Sequence, residues 1–414
     1  MSTFSIPVSG LLANEEALSV IGNNLANMNT TGYKGENPQF SDLFSQQLGT
    51  DGGGDPVQVG LGTQLSSTAA NFSQGTIQTT GVATDVAIQG DGFLQIQNGG
   101  VAMFTRDGNL SINSQGYLVT QDGSNVLGYN ATNGVISPNG TVAPLVINQG
   151  QSGPPQATGN VQITMNLDAS AATGSTFSTA VGVYDSLGTS HVLTYNFTKT
   201  AANTWTYQIT IPAADVGATG NPAVLSSGTL NFDGNGNLTS PSSNVTGITA
   251  KGLADGASNL SLNWQLVGVN GSPTIIQVAG TSAVSSSQQD GFASGALASF
   301  NIGADGTVEG AFTNGRTEAL GQIALATFPN SQGLLRVGTN NFMTTLASGL
   351  PTVGTPGTGG RGTIEGSSLE SSNVDISSQF ARLIVAQSGY EANARAFNAD
   401  NQVVQTAISL VPLA

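Results

Sequence analysis

Two apolar stripes of heptad type, one at each end of the chain, set the tightest limit on what this sequence can fold into. Towards the C-terminus Ile376, Phe380, Leu383, Gln387, Tyr390, Ala394, Phe397, Asn401, Val404, Ile408 and Val411 alternate spacings of four and three without a slip. About five heptads with no proline and a single glycine, Gly389, predict a long helix. Asn373 or Asp375 stands at its start as the N-cap. Near the N-terminus Phe4, Leu11, Leu18 and Leu25 recur at heptad spacing, with Ile21 and Met28 filling the seam and Pro7 and Asn14 interrupting it. Such stripes predict terminal helices that pair as a coiled coil. A seam this narrow, with Gln387 and Asn401 inside it, suits a bundle of several chains better than a helix lying on its own domain. The expected inter-subunit seam is Leu11, Leu18, Ile21 and Leu25 on one helix and Phe380, Leu383, Tyr390, Phe397, Val404 and Ile408 on the other.

Helical periodicity disappears between the ends. Stretches such as VQITMNLD, HVLTYNFTK, TWTYQITI and SLNWQLVGV alternate apolar and polar positions, and turn signals such as RDGN, QDGS and FDGNGN separate them. These read as antiparallel strands and hairpins. Gly-, Pro- and Ser-rich tracts at 148–160, about 281–296 and 348–362 look like crossings between domains. If the ends pair, the chain must run outward, turn and return. The expected architecture is therefore multidomain, with paired terminal α-helices and nested all-β domains. Residues 1–30 and 368–414 form the helical domain, 31–70 a connecting segment, 71–145 and 285–367 an inner β-domain, and 146–284 an outer inserted β-domain.

Composition narrows the function by exclusion. Only 8% of residues are charged and the net charge is -15, so the long-range field repels nucleic acid and anionic membranes. No apolar run is long enough to span a bilayer, and no membrane insertion is expected. With no cysteine, the chain has neither disulfides nor thiolate metal sites. The N-terminus lacks the basic and apolar regions of a cleavable signal peptide. No G-x-S-x-G, H-E-x-x-H or phosphate-loop sequence occurs. The only histidine, His191, lies in an alternating strand and reads as a surface residue. Asp233, Asn235 and Asn237 imitate the opening of a calcium loop, but Leu238 stands where its glycine belongs and Asn244 where its final Glu belongs, so turn chemistry explains them better. Paired glycosidase carboxylates are invisible to sequence, and two tryptophans offer little sugar platform. No enzyme activity, cofactor or metal is expected.

The stretch NNLANMNTTGYK ends the first helix with chemistry that makes local sense. Asn23, Asn24, Asn27 and Asn29 can bond backbone groups, Gly32 permits a left-handed turn, and Lys34 can reach the terminal carbonyls. This stretch resembles the signature of the flagellar rod and hook proteins, carried here by Asn23, Asn24, Ala26, Asn27, Thr30, Gly32, Tyr33 and Lys34. Two further stretches are similar to that family: ATDVAIQGDGFLQI with FTRDGNLSINSQGYLVTQDGSNVLGY, and a C-terminal segment opening Leu-Glu-x-Ser-Asn-Val-Asp with Asn373, Val374 and Asp375. Gln387, Asn393 and Ala394 stand on the family's Gln-x-x-Tyr-x-x-Asn-Ala. Ser388-Gly389 departs from it, and Gly389 should loosen the helix by about 1 kcal/mol relative to Ala.

The resemblance implies a non-enzymatic subunit of the bacterial flagellum. Within the family the inserted domain favours a hook subunit over a distal-rod protein. A surface adhesin or tail fibre would explain the composition but not the paired ends. A hook subunit would polymerise with itself into a curved tube, meet the rod, the hook cap and the hook–filament junction protein, and leave the cell through the type III export apparatus.

Overall fold

The structure is a computed structural model that describes residues 5–50, 53, 55–138, 140–148, 152–268 and 271–409; Phe4 and Val411 of the expected stripes lie outside them. The chain divides into two units. The first comprises residues 1–148, 300–310 and 318–414, and the second 149–299 and 311–317. The chain therefore enters the second unit at 148/149 and leaves it at 299/300, against expected limits of 146 and 284, and returns to it for 311–317. The difference on the return side has a plain cause: Ala283–Gln289 is a strand of the second unit, paired with Asn160–Asp168.

In the first unit, helix α1 (Ser5–Ala26) packs against helix α2 (Ile376–Ser409). The segment expected as a simple connection is a ribbon. Strand β1 (Glu36–Asp42) pairs antiparallel with β4 (Thr63–Ala70), and β2 (Gln46–Thr50) with β3 (Pro56–Val59). The ribbon runs along α1, tied by Asn24 to Glu36 at one end of the helix and by Ser9 Oγ to the Thr63 amide at the other.

The β-domain of this unit is built round β5 (Val86–Gln89), β6 (Phe93–Asn98) and β7 (Val101–Thr105). Gly99 and Gly100 both take positive φ, 56° and 87°, which lets a two-residue turn follow the twist of the β6–β7 hairpin. Its core holds a ring cluster in which Phe93 meets Phe72, Phe328 and Phe342 edge-on at 5.5–5.8 Å.

The second unit is a sandwich of two sheets. One is a meander of β8 (Thr176–Tyr184), β9 (Ser190–Ala201), β10 (Thr204–Ile211) and β11 (Ala223–Phe232), each antiparallel to the next. The other centres on Asn160–Asp168, whose side chains alternate strictly between buried and half-buried. That strand runs parallel to Leu260–Gln265 and Ile275–Val278, where hairpins alone were expected. Parallel neighbours need long connections, so local turn signals do not reveal them. Trp264 fills the space between the sheets, 5.2 Å from the Tyr195 ring and 5.1 Å from Tyr207.

The Gly-rich tracts around the unit's entry and exit are not loose. Asp290 Oδ1 accepts from the Gly159 and Asn160 amides at 2.7 and 2.8 Å, and Oδ2 accepts from Asn160 Nδ2. Gln156 and Phe292 exchange two backbone hydrogen bonds. Burial works against the charged carboxyl, but these donors outweigh it and hold Asp290 below its ordinary value. Entry and exit are stapled to each other, and residues 149–151 lie outside the description. Asp233 makes the expected turn, its Oδ1 accepting from the Asn235 and Asn237 amides.

Candidate self-assembly site

The buried residues of α1 are mostly small: Pro7, Ala13, Ala17 and Asn24, with Ile21. On α2 the buried positions are Gln379 and Ala386. Ile21, Ala17 and Ala386 form the core of the contact, with Leu18, Leu25 and Leu383 packed around it. Two glycines bring the axes close. A Cβ on Gly10 would stand 2.6 Å from Asn393 Oδ1, and one on Gly389 would stand 2.7 Å from Asn14 Oδ1. Each asparagine also folds back on its own helix, Asn14 Nδ2 to the Gly10 carbonyl and Asn393 Nδ2 to the Gly389 carbonyl. The crossing is thus a reciprocal Gly-x-x-x-Asn contact. Gly389, which costs helix propensity, makes room for Asn14.

This close approach changes the expected register. Leu11, Leu18, Leu25, Leu383, Phe397 and Val404 are half-buried, and Ile21 is fully buried. Phe380, Tyr390 and Ile408 were expected to face α1 but are exposed, Phe380 by 52% and Ile408 by 67%, and Gln387 is exposed as well. The reason is steric. Heptad reading selects the largest apolar side chains, whereas closely approaching helices meet through their smallest. The bulky residues are left outward together with Ile376, Ile384, Val385 and Val403. Large apolar side chains left exposed in this number along an ordered helix are what a self-assembling subunit presents.

The asparagine-rich stretch that follows α1 forms a buried polar knot. Asn24 holds both backbone groups of Glu36: its Nδ2 donates to the Glu36 carbonyl at 2.7 Å and its Oδ1 accepts from the amide at 2.9 Å. Tyr33 Oη donates to Asn24 Oδ1, and Asn23 Nδ2 donates to Tyr33 Oη. Asn27 bonds the Asn23 carbonyl, and Thr30 Oγ1 donates to Asn27 Oδ1. Gly32 takes φ of 66° as expected, and any Cβ there would strike the Arg106 backbone at 2.6 Å. Ala26 ends the helix and is exposed.

Lys34 departs from its expected role at the helix end. Its Nζ donates to Glu370 Oε1 at 2.7 Å and to the Ser73 carbonyl at 2.9 Å, and both ion-pair side chains are wholly buried. Arg106 Nη1 lies 3.5 Å from Glu370 Oε2. Burial draws Lys34 below its ordinary pKa and Glu370 pulls it back up; Arg106 is lowered by burial in the same way. Asn373 completes the knot by accepting from the Gly35 amide and donating to the Asn71 and Ser73 carbonyls. Asp375 caps α2, its Oδ1 accepting from the Ser378 amide at 2.7 Å. Val374 is half-buried next to these contacts, and Ala394 is half-buried farther along α2.

Sequence reasoning passed over three residues here: Glu370, Arg106 and Arg336. Arg336 donates to the Lys34 carbonyl at 2.7 Å and stands 4.9 Å from the Tyr33 ring centroid. One signal was available. Lys and Arg together number nine in this chain, so each cation merits a search for a buried partner.

Comparison with known proteins places this arrangement. Family models match the chain in four stretches: flagella basal body rod protein at 5–34, flagellar hook protein FlgE/F/G D1 domain at 87–170, flagellar basal body protein FlaE D2 domain at 156–292, and flagellar basal body rod FlgEFG protein C-terminal at 365–410. The flagellar hook protein FlgE of Treponema pallidum is 33% identical over 97% of this chain and 98% of its own. The chain belongs to the flagellar hook protein family. The hook protein of Salmonella typhimurium is also 33% identical, over 99% of this chain and all of its own. A crystal structure of Helicobacter pylori flagellar hook protein FlgE2 shares the fold with a TM-score of 0.51 at 15% identity, covering 70% of this chain and 99% of that one. As a hook protein the chain is a structural subunit of the flagellar hook and serves motility. The polar knot is where the two terminal matches meet in space: Asn24, Tyr33 and Lys34 come from one, Glu370, Asn373 and Asp375 from the other.

Proposed function

We propose that this hook subunit polymerises through the outward face of α2, with α1 as its backing. The observation that carries the reading is the set of large apolar side chains that α1 leaves exposed on α2: Phe380, Ile384 and Val385 near its start, Tyr390 in its middle, and Val403 and Ile408 towards its end. Copies meeting through one such face and a different one on the neighbour add without closing, and so build an open helical polymer. Buried in the assembly, each large side chain contributes about 1.5–3 kcal/mol, enough to order helices that are marginal alone. The inter-subunit seam is then Phe380, Tyr390 and Ile408 with their exposed neighbours, continued by Phe397 and Val404 towards the end of α2, while Leu11, Leu18, Ile21, Leu25 and Leu383 keep the helix pair in register. Residues 1–30 with 368–414 form the tube wall, and the nested β-domains stand outside it and slide past their neighbours as the tube bends. The resulting joint meets the rod at one end and the hook–filament junction at the other. It grows beneath a hook cap from subunits delivered by the type III export apparatus without a cleaved signal, and it performs no catalysis.

The test is assembly. Full-length protein concentrated in a kosmotropic salt is viewed by negative-stain electron microscopy beside Phe380→Glu and Ile384→Glu. The parent should form tubes, and both variants should remain soluble, with circular dichroism and melting unchanged because these positions are exposed in the subunit. Tubes from both variants would remove these side chains from the interface.

A further inference from the structure

His191, expected on a strand surface, is instead buried at one end of the second unit, and three carboxylates surround it. It is the second residue of β9 (Ser190–Ala201) and pairs with Val183 across the hairpin. Asp185 lies in the turn between β8 and β9, with its side chain fully buried. Its Oδ1 is fixed by the Leu187 and Thr189 amides at 2.8 and 2.9 Å, which leaves Oδ2 facing His191 Nε2 at 3.0 Å. Asp255 approaches from the 251–259 loop, its Oδ2 3.9 Å from the same nitrogen. On the other side of the ring Nδ1 lies 3.0 Å from Asp215 Oδ2, in the short 3-10 turn Ala213–Val216. The Ala254 amide bonds the Asp215 carbonyl at 2.9 Å and so ties the two loops together.

We propose that Asp185, His191 and Asp255 form a binding site for a first-row divalent metal ion of the zinc class. One ligand atom from each lies within 4.8 Å of the other two. Metal–ligand bonds of about 2.0–2.2 Å in a tetrahedral site set neighbouring ligand atoms about 3.4 Å apart. The two separations from Nε2, 3.0 and 3.9 Å, bracket that distance. The surroundings supply what such a site needs. With Nδ1–H donating to Asp215, the ring is held in the tautomer that turns its Nε2 lone pair to the metal, the usual carboxylate–histidine arrangement behind a metal ligand. Asp185 is preset by backbone amides. Asp255 keeps about a quarter of its side chain open, which gives an entry path and room for a water as fourth ligand.

Charge points the same way. Three carboxylates face a single imidazole, and among the described residues no Lys or Arg forms an ion pair with any of them. A divalent cation offsets that excess better than one proton does. The nitrogen donor and the small ligand number favour zinc, nickel or cobalt over calcium, which takes six to eight oxygens. Bound there, the ion would pin the β8–β9 turn, the 3-10 turn and the 251–259 loop at one end of the sandwich. This inference does not depend on how the subunit polymerises.

The experiment is titration of zinc chloride into full-length protein freed of metal by chelator and dialysis, followed by calorimetry, with calcium chloride in parallel. One zinc ion per chain is expected, together with a rise in the melting temperature that chelator reverses. Cobalt should give the visible absorption of a four-coordinate ion. Asp255→Asn removes a solvent-facing ligand without disturbing the fold and should weaken zinc binding at least tenfold. Asp215→Asn, which acts through the ring, should weaken it about 10- to 100-fold. His191→Gln should abolish it. No uptake by the parent, or an Asp255→Asn chain that binds zinc as tightly as the parent, would overturn the site. In that case the cluster is an imidazolium clamp, and stability would respond to pH and not to metal.

Discussion

The second unit and the terminal helices solve the problem of burying apolar surface in opposite ways. The second unit closes a sandwich over Trp205, Trp264, Tyr195 and Phe197, all buried, and needs nothing outside itself. The helix pair has a core of Ala17, Ile21 and Ala386 and turns its largest apolar side chains outward. One region is finished by its own sequence; the other leaves apolar surface uncovered, which on the reading proposed above a neighbouring copy finishes.

The sharpest way to break the comparison is at the polar knot, which holds the helix pair to the rest of its unit. Glu370→Gln leaves Lys34 and Arg106 buried without their counter-ion and should cost about 3–5 kcal/mol. Urea unfolding should then show the first unit melting early while the tryptophan fluorescence of the second keeps its midpoint. A common shift of both transitions would show that the two regions are not independent. The corresponding weak point of the second unit is the staple at its entry and exit. Asp290→Ala removes three hydrogen bonds to a half-exposed carboxylate and should cost about 1–2 kcal/mol. Hydrogen exchange should rise at 156–160 and 289–292 and stay low in the meander sheet.

The same staple carries a pH dependence. Because Asp290 is held below the usual carboxylate value of 3.8, its contribution is complete above that value and is lost as pH falls through the lower, folded one. The parent should lose protection at the staple below about pH 4, whereas Asp290→Asn should show no such step. The smallest effect tests the helix crossing. Gly389→Ala alone should change stability little, since the propensity gain of about 1 kcal/mol is offset by displacing Asn14. With Asn14→Ala added, most of that gain should appear in the melting temperature of the helix pair. A full gain from Gly389→Ala alone would mean that Asn14 gives way freely.

Much of this was legible because it is local. The long uninterrupted pattern from Ile376 requires a helix, Asp375 caps it, and Gly32 is needed wherever the backbone must turn with positive φ against another segment. Alternation in the middle of the chain gives strands, and the pairing of the two ends follows from two stripes in one β-rich sequence. The signature asparagines were visible as a helix stop, yet their partners were not: Lys34 meets Glu370 across more than three hundred residues, and no spacing rule reaches that far. His191 misled for the same reason, since Asp215 and Asp255 come to it from separate loops.

By itself, then, the sequence determined the two terminal helices, most strands of the middle and that the ends belong together, because backbone propensity and side-chain periodicity act over a few residues; the ribbon of 36–70 escaped it. Only the tertiary structure decided which face of α2 meets α1. That choice depends on how closely two backbones approach, which Gly10, Gly389 and their facing asparagines set jointly. It also decided where the few charges are buried, because desolvating a lysine is tolerable only where the fold delivers a carboxylate to it.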